Sequence, residues 1–135
     1  VHPKPVNKFK QKLKEITGRS NAMSMEQRIE KLKQCIVGWV NYFGMADMKK
    51  LALTLDEWLR RRIRMCYWKQ WKKIKSKHDN LVKLGVDSRK AWEYANTRKS
   101  YWRTANSPIL ASTFTKEYLR KHGFITISER YSLVH

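Results

Sequence analysis

Apolar residues recur along this chain at helical spacing. After Pro3 and Pro5, the residues Phe9, Leu13 and Ile16 fall at i, i+4 and i+7, and Gly18 supplies a stop. Ser24 and Gln27 stand three apart, the spacing of a capping box in which each side chain serves an orphan backbone donor. The stripe that follows is Ile29, Leu32, Ile36, Trp39 or Val40, and Phe43, closed by Gly44. Gly38 interrupts it at a cost of about 1 kcal/mol relative to alanine, which implies close approach of another backbone.

Residues 45–53 read as a turn or two of helix, and Thr54 with Glu57 as a second capping box. A long helix is expected from Leu55 to about Ser76. At about 100° per residue, Leu55, Leu59, Ile63, Cys66, Tyr67 and Ile74 share the core-facing arc. Arg60, Trp71, Arg64, Lys75, Trp68, Arg61 and Lys72 fall opposite. Residues 77–84 form a hinge or the tail of that helix, stopped by Gly85. Asp87 caps a helix to about Thr97 that turns Ala91, Trp92 and Ala95 inward, and Tyr101 and Trp102 lie in a short segment. Ser107 and Pro108 start a last helix with Leu110, Phe114 and Tyr118 on one face and Gly123 as stop. Residues 124–135 fit either an extended stretch or a single helical turn. The fold class is all-α: a helical bundle over 1–76, a hinge at 77–84 and a second, smaller helical domain over 85–135.

Composition confirms a folded chain and charge gives it a partner. With 135 residues, 41% of them hydrophobic, and six tryptophans, the sequence lies outside the signature of disorder. Thirty Lys and Arg against 11 Asp and Glu leave +19, a field that calls for a polyanion. Nucleic acid answers it through counterion release, and an anionic membrane surface is the rival. Residues 1–76 hold 19 cations and 6 acids, a net of +13, against +6 for the remainder. There is no run of 18 apolar residues and no signal-peptide pattern, so the chain reads as intracellular. It begins at Val1 directly in a helical motif, which reads as excision from a longer protein.

Chemistry of its own is not expected. Cys35 and Cys66 lie far apart in helical patterns, His2, His78, His122 and His135 are scattered, and no metal or cofactor is implied. Asp56 and Glu57 are adjacent carboxylates whose place at a helix start suits the macrodipole. No phosphate-cradling glycine loop occurs. Between Arg60 and Lys75 there are eight cations and no carboxylate, so ion pairing within that stretch cannot account for the charge. Trp68 and Trp71 are either core residues or stacking platforms for unpaired bases. The expected contacts are Arg60, Arg61, Arg64, Trp68, Lys69, Trp71, Lys72 and Lys75. Lys8, Lys10, Lys12 and Lys14 are secondary phosphate contacts or a solvated face.

GWVNYF at 38–43 and LDEWLRRRIRMCYWKQWKK at 55–73 resemble the maturase-specific region, or X domain, of group II intron reverse transcriptases, and the opening VHPKPVNKFKQKLKEIT resembles its lead-in. YWRTANSPIL and LRKHGFITISERY are similar to the C-terminal DNA-binding region of bacterial members that lack an endonuclease domain. The resemblance implies a polymerase thumb that holds intron RNA and the RNA/DNA template-primer duplex, followed by a segment for target DNA. It also implies a parent RNA-directed DNA polymerase that assists splicing and intron mobility, with catalytic aspartates and magnesium in a palm outside this segment. The implied setting is a cytoplasmic bacterial ribonucleoprotein. The rival readings are a stand-alone duplex-DNA-binding module and a basic membrane-surface protein.

Overall fold

The computed structural model describes residues 3–18, 22–43 and 49–134. Every regular element among them is a helix: α1 (Pro3–Ile16), α2 (Met25–Phe43), α3 (Lys49–Gln70), α4 (Ile74–Lys83), α5 (Ser88–Ala95), α6 (Tyr101–Ala105), α7 (Pro108–Thr113), α8 (Lys116–Lys121) and α9 (Ile127–Val134). Packing groups the chain into two compact units, Val1–Arg60 with Lys116–His135, and Arg61–Thr115. That grouping runs differently from the division at residues 77–84, which lie almost wholly within α4. Gly44 and residues 45–48, and the side chain of Phe43, lie outside the described residues.

In the first unit α1 packs on α2, and α2 on α9. The expected stripes are its core: Phe9, Leu13 and Ile16 from α1 are buried, as are Ile29, Leu32, Ile36, Trp39 and Val40 from α2. Phe9 stacks on Trp39 with ring centroids 4.2 Å apart. The capping box forms: the Ser24 N–H donates to Gln27 Oε1 and the Gln27 N–H to Ser24 Oγ, both at 3.2 Å. The second box does not form. Thr54 sits inside α3, where its hydroxyl donates back to the Lys50 carbonyl at 3.1 Å. Gly38 also departs from expectation, since a Cβ built there meets nothing within 4 Å.

The carboxylate of Asp56 is buried, and it serves the dipole of α9 rather than that of its own helix. It accepts from the N–H groups of Ile127 (2.7 Å) and Ser128 (3.1 Å) and from Ser128 Oγ (2.6 Å). Thr126 Oγ1 accepts from the Glu129 N–H at 3.1 Å, so the first three donors of α9 are satisfied. Residues 127–134 are thus two turns of helix. α8 ends at Gly123 (φ +94°), where the Phe124 N–H reaches the Leu119 carbonyl and the Gly123 N–H that of Arg120, both at 2.9 Å. This is a Schellman stop.

In the second unit the expected long helix breaks after Gln70, and α4 begins at Ile74 with Lys73 extended (φ −89°, ψ 150°). Trp71 sits at the break and packs on Phe114, ring centroids 5.3 Å apart. The wheel drawn through residue 76 therefore fails at its end, and Ile74, assigned to the core, is 47% exposed. α4 stops at Gly85 (φ +101°) by the same Schellman bonds, Val86 N–H to Leu81 carbonyl and Gly85 N–H to Val82 carbonyl. α5 buries Ala91 and Ala95, but Trp92, expected inward, is 42% exposed and stacks on His78 at 3.8 Å. His78 bridges α4 to the start of α5, its Nδ1 2.9 Å from Asp79 Oδ1 and its Nε2 2.9 Å from Ser88 Oγ. The helix expected from Pro108 ends at Thr113, and its second half forms α8 in the first unit.

Candidate nucleic-acid interface

Lys8, Lys10, Lys12 and Lys14 of α1 are exposed, and they do not form one face. At 100° per residue Lys8 and Lys12 lie on one flank of the buried stripe, and Lys10 and Lys14 on the other. On the second flank Lys10 Nζ sits 4.9 Å above the ring of Trp58 from α3. On the first, Lys8 and Lys12 border a groove of about 640 Å³ with Pro5, Phe9 and the α2 residues Gln34, Cys35, Gly38 and Trp39. Burial pushes the Cys35 thiol up from its usual range, and the charge of Lys12 opposes part of that shift. Arg60, at the end of this unit's share of α3, is half-buried.

In the second unit, two of the expected contact arginines hold the fold together. Arg61 donates from Nε (3.0 Å) and Nη2 (2.9 Å) to the carbonyl of Trp102, and its guanidinium lies 3.7 Å over the Trp102 ring. Arg64 Nε donates to the Ala105 carbonyl at 2.8 Å. Asn106 and Ser107 supply N–H donors to the carbonyls of Arg103 and Thr104. All four C-terminal carbonyls of α6 are thereby satisfied, two by cations at the negative end of the helix dipole. The same use recurs in the first unit, where buried Arg28 donates from Nε to the Ile16 carbonyl at the end of α1 (3.0 Å).

Trp68 is 1% exposed, so its assignment to a nucleic-acid-facing stripe is corrected to a core position. Its ring meets Trp71 edge-on at 6.2 Å, and Lys77 Nζ lies 5.0 Å above it and 5.1 Å from the Tyr101 ring. Trp71 is half-buried against Phe114. Lys69 is half-buried, while Lys72 and Lys75 are exposed. Lys77, on which the sequence placed no role, is 9% exposed, and burial pushes its ammonium below the usual lysine range. The structure thus separates the predicted stripe into helix-capping Arg61 and Arg64, buried Trp68, half-buried Trp71, and exposed Lys72 and Lys75. Sequence pattern carried no signal for Arg28 or Lys77, because what they touch comes from other elements.

Among the described residues no group of three or more His, Cys, Asp or Glu side chains comes together as a metal-binding set. Nor is any described helix long and apolar enough to cross a membrane. A family model described as group II intron, maturase-specific domain matches residues 6–85, more than half of the chain and as far as the Schellman glycine after α4. No curated protein matches the chain.

Proposed function

Because this chain belongs to the group II intron maturase-specific domain family, we propose that it is the nucleic-acid-gripping segment of an intron-encoded reverse transcriptase. Membership makes it a maturase segment with group II intron RNA as partner. The finer reading is that residues 6–85 act as a thumb on the RNA/DNA template-primer duplex and that residues beyond them meet target DNA. In that reading the segment contributes binding, and the polymerase chemistry resides elsewhere in the parent protein.

The observation that carries the reading is the exposed lysine set: Lys8, Lys10, Lys12 and Lys14 on both flanks of α1, with Lys72 and Lys75 beyond α3. Arginines that cap helix ends account for only part of the +19. Exposed, mutually repelling lysines gain most from a polyphosphate, which releases its condensed counterions when they arrive. Titration of structured RNA at several salt concentrations tests this. Each phosphate contact contributes about 0.7–0.9 to the log-log slope, and a slope near zero removes the electrostatic account.

A further inference from the structure

Gly38 poses a problem that packing does not solve. A glycine in mid-helix costs about 1 kcal/mol relative to alanine, and a helix usually accepts it where a neighbour needs the space. Here a Cβ would meet nothing within 4 Å among the described residues, so none of them requires the glycine. What the missing side chain leaves open is the groove between α1 and α2, whose size is that of a small-ligand cleft. Its floor is apolar, with Phe9 stacked on Trp39, and its rim carries Lys8 and Lys12 one turn apart, with the Gln34 amide opposite. Among the described residues no Asp or Glu lines it.

We propose that this groove takes one unpaired nucleotide of the bound RNA, the base lying against the Gly38 backbone and Trp39 and its phosphates meeting Lys8 and Lys12. The inference rests on the RNA-binding reading above and adds a site to it. Charge complementarity selects the occupant. An apolar side chain seated here would cover two ammonium groups without an anion to offset them, whereas a nucleotide brings both a flat apolar surface and its own phosphate. The base offers a flat apolar surface to the floor and polar edges to Gln34, which can both donate and accept. Gly38 then has a use: a side chain at that position would occupy the space of the base.

The test uses the full 135-residue chain with two probes of equal length and charge, a short oligouridylate and the corresponding abasic ribose-phosphate oligomer. The oligouridylate is expected to bind roughly 5- to 150-fold more tightly, the range of base stacking. Gly38→Leu, which gains helix propensity and whose Cβ meets none of the described residues within 4 Å, should melt no lower than the wild type. It should lose the preference for oligouridylate while keeping its affinity for the abasic oligomer. Alkylation of Cys35, read by mass spectrometry separately from buried Cys66, should be slowed by oligouridylate and not by the abasic oligomer. If the folded Gly38→Leu variant keeps the preference, or if Cys35 is not protected, the groove is not the base site although the chain still binds RNA. If the wild type binds neither probe nor structured RNA, the RNA-binding reading itself fails, and this inference with it.

Discussion

Arg61 grips Trp102 twice, by its guanidinium 3.7 Å over the indole and by two donors on the carbonyl of the same residue. The fork geometry that makes arginine suited to a phosphate is here satisfied by a helix C-terminus. Lysine cannot reproduce both contacts. Arg61→Lys is therefore expected to lower stability by about 1–2 kcal/mol through the lost hydrogen bond and stacking, measured as a shift in the urea midpoint.

Arg64 is expected to behave likewise. The sequence alone assigns Arg64→Ala a stability change of roughly 0.5 kcal/mol or less, as for a surface contact. With its Nε on the Ala105 carbonyl, removal leaves a helix-end acceptor without that donor, and the expected cost is about 1–3 kcal/mol. A melt indistinguishable from wild type would contradict this capping role for Arg64.

Trp68 and Trp71, three residues apart, should now differ in degree rather than in kind. Trp68→Ala empties a fully buried site and is expected to cost about 3–5 kcal/mol. Trp71, half-buried against Phe114, should cost about 1–3 kcal/mol when truncated. Thermal melts of the two variants check the order, and a Trp71→Ala chain as stable as wild type contradicts the packing described.

Asp56→Ala should be among the most damaging changes in the first unit. It strips partners from two backbone donors and a hydroxyl at the start of α9, at a cost of about 2–4 kcal/mol. Asp56→Asn keeps one acceptor oxygen and should lose less. Amide exchange of Ile127 and Ser128 reports the effect locally.

Lys77 gives a pH dependence whose sign is fixed. Its pKa in the folded chain lies below the usual lysine value because burial penalises the ammonium. As pH rises through the folded pKa toward the unfolded one, the unfolded chain binds more protons at this position, so stability increases. The penalty is fully present below the folded pKa. Lys77→Met should flatten that rise, seen by comparing urea midpoints of the two proteins across the alkaline range. A difference between them that does not change with pH contradicts it.

What could be read from sequence was local, and what could not was set at a distance. The α1 stripe, the Ser24–Gln27 box and the stops at Gly85 and Gly123 each depend on residues within a turn or two of one another, and each forms. The break at Trp71 has no glycine, proline or capping side chain to announce it; it coincides with packing on Phe114, 43 residues onward. Thr54 and Glu57 had the right spacing for a helix start, but the helix was already running from Lys49. For the site, Lys8 and Lys12 were legible as phosphate contacts or a solvated face, but not as the rim of a groove. The groove they border exists only because α2 lies beside them.

The cap that Asp56 places on α9 also sets an order of events during synthesis. The carboxylate and the Ser128 N–H it receives are 72 residues apart in sequence, which at about 5–20 residues per second is roughly 4–14 s of translation. Residues 61–115 are contiguous and can finish folding within that interval. The first unit begins on the ribosome earlier yet closes its core later, when Leu119, Phe124 and Ile127 arrive. A ribosome stalled between the two has translated α1 and α2 but not α9, the helix that packs on α2 in the finished unit.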